Sequence, residues 1–380
     1  MTLDRTTAAL YEEHAAAWTA AREGKDTGAA RRLVARVGTG PSGPLLDVGC
    51  GPGYLTEHLP DPVIGLEPVA AFLDILGRRV PQALGVRGEA AYLPFRSGSI
   101  GGALVTSVYV HLARGALPSA LAELHRVLAR DAPVEIVMFG GDLDLEPVED
   151  GEFGPRRYSH WPEDDLRDVI DGAGFVVNEW TTRREHRWPS YEVSLQRAST
   201  LPDMVGPGLD VLVCGLNPSV YSADVGVGFG RPGNRFWPAA LAADLVSVDR
   251  DPSHALLVDG VGMTDLVKRA TPRADAISED EYRRGLARVE RLCARLRPKV
   301  VCFVGLSGWR AAVDPRAVAG WQPDPLGGAA VYLMPSTSGV NAHVNLDDLV
   351  GHLCELRERV PRSRRRSRPR GTEGSTGRDT

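Results

Sequence analysis

Residues 211–237, VLVCGLNPSVYSADVGVGFGRPGNRFW, hold the stretch on which the fold turns. Val211 to Cys214 is an apolar run of the kind that fills a parallel strand buried on both faces. It breaks at Gly215-Leu216-Asn217-Pro218-Ser219, where glycine, asparagine and proline together force a sharp turn. In an open α/β sheet, ligands bind at the carboxyl ends of the strands. The turn therefore sets the Asn217 amide among free backbone N–H groups at a ligand-facing edge. Gly226-Val227-Gly228-Phe229-Gly230 follows, a loop whose glycines permit close approach to a flat ligand and whose lone Phe offers a stacking face. Pro232-Gly233-Asn234-Arg235-Phe236-Trp237 then leads into a helix.

This stretch resembles the first active-site motif of the mismatch-specific uracil/thymine-DNA glycosylases: strand, G-x-N-P-G, a short loop with Phe, then P-x-N-R-F-W. Ser219 stands where the family often has Gly. Met334-Pro335-Ser336-Thr337-Ser338-Gly339-Val340-Asn341, after the apolar Ala330–Leu333, resembles the second motif. Gly262-Met263-Thr264-Asp265-Leu266-Val267-Lys268-Arg269 matches a third segment, and the three lie in the family's order within residues 201–358.

The resemblance implies an enzyme that extrudes a base from duplex DNA before cutting its glycosidic bond. Asn217 would orient the attacking water; an amide is no strong base, so departure of an anionic base must carry the reaction. Phe229 would stack on the flipped base, and backbone groups around Leu216, Ser219 and Phe229 would read its edge and stabilise its charge. Gly339, Val340 and Asn341 would wedge into the duplex and contact the orphaned guanine, with Val340 a smaller wedge than Leu. The Arg sometimes found beyond the wedge is replaced by Ala342-His343. His343 sits out of register for an oxyanion-stabilising His, which leaves a phosphate contact or a surface position. Lys268 and Arg269 are candidates for DNA-backbone contacts, with a helix-end salt bridge as the alternative. Neither motif contains Lys, so hydrolysis without lyase activity is expected, with no cofactor and no metal.

The other half of the chain carries a second signature. Pro44-Leu45-Leu46-Asp47-Val48-Gly49-Cys50-Gly51-Pro52-Gly53 reads as a strand breaking into a glycine-rich turn, with a helix beginning over Tyr54–Leu59. D-x-G-x-G-x-G resembles the first motif of class I S-adenosylmethionine-dependent methyltransferases. The likeness covers residues 1–197. It implies cofactor contacts from Asp47, Gly49, Gly51 and Gly53, from Glu67 on the ribose hydroxyls, and from Glu89 beside the adenine. Two positions depart from the family: Ser99-Ile100-Gly101-Gly102 lacks the usual acid, and Arg130-Asp131-Ala132-Pro133 replaces a P-G-G turn. His111 stands where such enzymes are often polar, and a solvated or core-capping role is expected for it.

Bulk properties fit this division. The chain has 380 residues, 43% of them hydrophobic, and a net charge of −5, enough for two ordinary domains. No run approaches the length of a membrane span. The five cysteines, Cys50, Cys214, Cys293, Cys302 and Cys354, form no CxxC pair, so no zinc site or iron–sulfur cluster is indicated and a reducing cytoplasm is expected. The acidic balance lies in the N-terminal half, an unpromising DNA surface. Residues 361–380 carry seven arginines against Glu373 and Asp379 and are expected to form a disordered basic tail able to hold phosphates.

The expected fold class is α/β, as two three-layer α/β/α domains. A Rossmann-like methyltransferase fold (1–197) and a proline- and glycine-rich linker (198–208) precede a uracil-DNA glycosylase fold with a mostly parallel sheet (209–360). The expected partners are double-stranded DNA with mismatched or damaged pyrimidines and S-adenosylmethionine, acting on a cytoplasmic monomer, nucleoid-associated in a prokaryotic cell. Two rivals remain open: methyl transfer as the main activity beside a glycosylase-fold binding module, and a non-catalytic damage-binding protein.

Overall fold

Alternate residues of a strand face opposite ways, and the central strands of both halves are apolar on both faces. Each half is therefore a sheet covered on two sides. In the computed structural model, which describes residues 4–24, 26–38, 42–149, 153–184, 187–341 and 344–360, this yields two three-layer α/β units. The basic tail at 361–380 and the Ala342-His343 pair lie outside the described residues.

The first sheet holds β1 (Leu45–Val48), β2 (Val63–Glu67), β3 (Leu84–Arg87), β4 (Gly102–Thr106) and β5 (Pro133–Phe139), parallel in the order β3-β2-β1-β4-β5. A hairpin of β6 (Leu143–Val148) and β7 (Arg156–His160) stands apart, and β8 (Phe175–Arg183) and β9 (Ser190–Arg197) extend the sheet antiparallel beyond β5. Around it lie α1 (Arg5–Ala20), α2 (Gly28–Val37), α3 (Ala70–Arg79), α4 (Leu117–Val127) and α5 (Glu163–Gly172). Leu46 and Val48 of β1 face the core shared with α4 and α5, while Leu45 faces the opposite one with α2. The helix expected over Tyr54–Leu59 is only a 3₁₀ turn at Thr56–His58. Pro60 and Pro62 follow at once and cannot extend it. The hairpin between β6 and β7 was not foreseen from the sequence.

The second sheet holds β10 (Val211–Gly215), β11 (Val261–Asp265), β12 (Val300–Val304), β13 (Gly320–Trp321) and β14 (Ala330–Met334), ordered β11-β10-β12-β14-β13. All pairs are parallel except the two-residue β13. Its helices are α6 (Val220–Val225), α7 (Phe236–Ala242), the single turn α8 (Pro252–His254), α9 (Glu279–Leu296), α10 (Ser307–Ala312) and α11 (Leu346–Arg359). Leu212, Cys214, Val301 and Phe303 pack toward α9 and α10; Val211, Val213, Cys302 and Tyr332 pack toward α7 and α11. A capping box opens α9: Ser278 accepts from Glu281 N–H, and Glu281 from Ser278 N–H.

The connection at 198–208 is no loose tether. Thr200, Leu201, Asp203 and Val205 are buried. Met204 pairs its backbone with Met263 in both directions at 2.9 Å, and Asp203 N–H donates to Gly172 O at 2.8 Å. Asp203 Oδ2 accepts from Arg288 Nη1 at 2.7 Å, and Asp203 Oδ1 from Lys268 Nζ at 2.8 Å and Thr264 Oγ1 at 2.7 Å. The arginine-rich face of α9 meets the acids of α5. Arg291 pairs with Asp168, Arg288 lies 3.8 Å from Asp171 and Arg295 4.0 Å from Asp165. The two domains are thus docked through a strap and a ladder of ion pairs.

Candidate active site

The carboxyl end of β10 holds the first cluster. Asn217 Nδ2 donates to Thr271 Oγ1 at 2.8 Å, to Arg269 O at 3.0 Å and to Pro218 O at 3.1 Å. Thr271 spends its own hydroxyl proton on Arg273 O at 2.7 Å, so it can only accept from Asn217. That fixes which end of the amide is nitrogen. Asn217 Oδ1 meets no donor among the described residues and is left as an acceptor that a water could fill.

Phe229 stacks on Phe236 with ring centroids 4.3 Å apart and planes at 24°. Its φ of +55° is rare for a bulky residue, and Trp237 Nε1 braces the loop by donating to Gly228 O at 2.8 Å. Phe229, Gly228, Met263, Thr264 and Asp265 line a cavity of about 20 Å³, completed by Leu201, Pro202 and Met204 of the strap. That volume holds about one water, so a pyrimidine enters only if this wall shifts. Asn217 does not line it.

Asp265, at the end of β11, was quoted in a motif but not singled out as a site residue. It is 9% exposed, and burial pushes its carboxyl up to about 6. An added Cβ at Gly215 would stand 2.5 Å from Asp265 Oδ1 and 3.4 Å from Phe229 Cζ. The carboxylate and the ring therefore meet over the same glycine.

Several expected contacts are corrected. Leu216 O already accepts from Val267 N–H at 2.9 Å, and its side chain packs toward Gly305 and Gly308, which leaves one carbonyl lone pair for a base. Ser219 caps α6, accepting from Ser222 N–H at 3.1 Å. Lys268 is committed to the buried Asp203, whereas Arg269 pairs with Glu281 and stays half exposed, so a salt bridge is present at both. Asn341 does not project as a wedge: its Nδ2 donates back to Ser336 O at 3.0 Å. Gly339 is exposed and packs on Gly233 O, and Val340, 84% exposed, stands at the tip. Arg235, quoted in the first motif without a role, cradles this loop: its guanidinium donates to Ser338 O, Asn341 O and Val344 O. The His343 assignment lies outside the described residues.

The N-terminal half holds a larger cavity of about 180 Å³ over the ends of β1, β2 and β4. Asp47, Gly49, Gly51, Glu67 and Glu89 all line it. Gly53 does not; at φ +87° it packs on α3, where a Cβ would meet Leu76 Cδ1 at 2.4 Å. Glu67 accepts from Gly51 N–H at 2.9 Å and Val69 N–H at 3.1 Å, and Asp47 from Thr56 Oγ1 at 2.7 Å. Burial raises both carboxyls to about 7. Glu89 Oε2 is buried with no partner among the described residues. His111 is buried rather than solvated and lines the same cavity. Its Nδ1–H donates to Arg157 O at 2.8 Å and its Nε2 accepts from Tyr11 O–H at 2.9 Å, and burial lowers its pKa to about 4.

Comparison with known proteins agrees with this division. Residues 202–356 match the family described as the uracil DNA glycosylase superfamily, and residues 46–134 match a methyltransferase domain. A glycosylase-superfamily domain thus stands at the C-terminal end and a methyltransferase domain at the N-terminal end. Among solved structures the chain is similar to a SAM-dependent methyltransferase from Methanosarcina mazei, at 17% identity over 41% of this chain and 92% of that one, with a TM-score of 0.37. It is also similar to a 1,6-didemethyltoxoflavin-N1-methyltransferase from Burkholderia thailandensis solved with S-adenosylhomocysteine, at 19% identity over 50% and 84%, with a TM-score of 0.38.

Proposed function

We propose that the C-terminal domain is a monofunctional DNA glycosylase that hydrolyses the N-glycosidic bond of uracil, and of related damaged pyrimidines, opposite guanine. The observation that carries this is the Asn217 amide, locked at the end of β10 by its Nδ2 bonds with Oδ1 left as the acceptor. In the reaction the C1′–N1 bond breaks with its electron pair leaving on the base, a water oxygen bonds C1′, and the proton that water loses neutralises the departed anionic base. Asn217 Oδ1 accepts a hydrogen bond from that water and aims it. Phe229 supplies the stacking face, and Val340, held out by the Arg235-braced loop, fills the space that the base leaves.

The N-terminal residues fit S-adenosylmethionine: a backbone floor at Gly49 and Gly51, two buried carboxyls, and the orphaned Glu89 Oε2. Glu67 would accept from the ribose hydroxyls and Glu89 from the adenine amino group. When bound, the cofactor supplies a methyl group activated on a sulfonium. The larger of the two cavities lies in this domain, which favours methyl transfer as a second reading of the main activity.

A labelled duplex with one G·U pair, incubated without added cofactor and then treated with alkali, separates the two. A strand break that disappears in Asn217→Ala supports the glycosylase. A folded protein that breaks neither duplex nor single strand, yet consumes S-adenosylmethionine, moves the main activity to the N-terminal half.

A further inference from the structure

Asp265 is more than nine-tenths buried, and its carboxylate receives no hydrogen bond from any described residue. The cations nearest it are spoken for: Lys268 Nζ and Arg288 Nη1 both donate to Asp203, and Arg288 Nη2 reaches the Asp265 backbone carbonyl rather than its side chain. A buried carboxylate without donors is costly. This one lines the same cavity as Phe229 and meets the Phe229 ring over Gly215. Donors are thus missing on the side from which a stacked base would supply them.

We propose that Asp265 reads the hydrogen-bonding edge of the extruded base and extends the substrates of this domain to unmodified mismatched cytosine. The proposal rests on the glycosylase reading above. A carboxyl group with one proton matches cytosine: its O–H donates to N3 and its other oxygen accepts from the N4 amino group, the pairing by which acidic side chains read cytosine. Uracil offers only N3–H between two carbonyls. An ionised Asp265 takes that proton donor but sets its second oxygen against O4 and repels the charge growing on the leaving base.

The protonated carboxyl also helps cytosine to leave. Asp265 passes its proton to N3, the C1′–N1 electron pair departs with the now neutral base, the water oxygen bonds C1′, and the proton lost by that water returns to the carboxylate. The groups facing this carboxyl are Asp203 from the strap, Lys268 beyond β11 and Arg288 on α9. Burial outweighs the two cations and holds the carboxyl at about 6, where it can both give and take a proton.

The test uses the full chain and its Asp265→Asn variant on duplexes with a single cytosine opposite adenine, beside matched G·U duplexes, with the freed base measured by chromatography. The wild-type protein should release cytosine. The variant should lose at least about tenfold of that rate, since the amide cannot deliver a proton, and the ratio of cytosine to uracil release should fall with it. A general structural role would lower both together. Release of uracil but no cytosine by the wild-type protein overturns the proposal and leaves the glycosylase standing. Equal cytosine release by the variant overturns it too. Release of neither base brings down the glycosylase reading with it.

Discussion

Asn217 and Thr271 lie 54 positions apart in the chain, yet their side chains meet at 2.8 Å with the amide donating and the hydroxyl accepting. The hydroxyl has no other choice, because its proton is held by Arg273 O. Replacing Asn217 with Ala should lower single-turnover base release by about 10²-fold, the scale on which misplacing a reactant by about 1 Å slows a reaction. Thr271→Val keeps Asn217 but frees its amide to rotate. A smaller loss, about tenfold, is expected there, equivalent to about 1.4 kcal/mol. Equal rates for Thr271→Val and wild type would mean that the orientation does not matter.

Phe229 is fixed on one face by Phe236 and contributes to the cavity wall. Base–aromatic stacking is worth about 1–3 kcal/mol, so Phe229→Ala should lower kcat/KM by roughly 10–100-fold on any extruded pyrimidine. Measuring uracil and cytosine duplexes together checks this. The loss should be common to both bases, unlike that of Asp265→Asn.

The wedge predicts a different split. Val340 is nearly fully exposed, and Arg235 fixes the loop beneath it through three carbonyls. Val340→Gly should slow release from duplex DNA at least about fivefold and leave single-stranded substrate untouched, because only the duplex must be held open at a cost of a few kcal/mol. Arg235→Ala should show the same split with a larger duplex loss. Equal effects on both substrates would remove Val340 from the role.

Local sequence carried what depends on neighbours in the chain. The β10 run, the turn at Asn217 and the Phe229 loop are each set within a few residues, and each stands in the structure where the sequence places it. What failed was settled by distant partners. Lys268 reads as an available cation until Asp203, 65 positions away, claims it. The stretch at 198–208 has the composition of a flexible linker, but Arg288, 85 positions beyond Asp203, pins it into the domain junction. Asp265 looks like an ordinary strand-ending acid, and only the packing of Gly215 against it and Phe229 places it in a cavity. Gly53 shares its motif with Gly51, yet the position of Leu76 turns it to packing.

In the N-terminal cavity, burial raises Glu67 to about 7. A ligand that donates hydroxyl hydrogen bonds to this carboxylate favours its ionised form, so binding expels a proton from the protonated fraction. The affinity for S-adenosylmethionine should therefore rise with pH up to about 7 and level off above it. Calorimetry in buffers of different ionisation enthalpy should detect the released proton below pH 7. Glu67→Gln should bind more weakly and lose most of the pH dependence. A slope unchanged in the variant would assign it instead to Asp47, which burial raises to the same range.

The domain junction separates a buried ion pair from an exposed one on the same helix. Arg288 and Asp203 are 7% and 6% exposed at their side chains, whereas Arg291 is 54% exposed beside Asp168. Breaking a buried pair strands its partner, so Arg288→Met should cost about 3–5 kcal/mol. Arg291→Ala should cost no more than about 1 kcal/mol after solvent screening. Burial alone would raise the Asp203 carboxyl, but Arg288 and Lys268 hold it below the usual carboxylate range. Its contribution to stability is therefore complete above the unfolded carboxylate pKa and disappears as pH falls through the lower folded value. Thermal unfolding of wild type and Arg288→Met across acidic pH should show the gap between them shrinking toward low pH. A constant gap would mean that the Asp203 charge contributes nothing to holding the domains together.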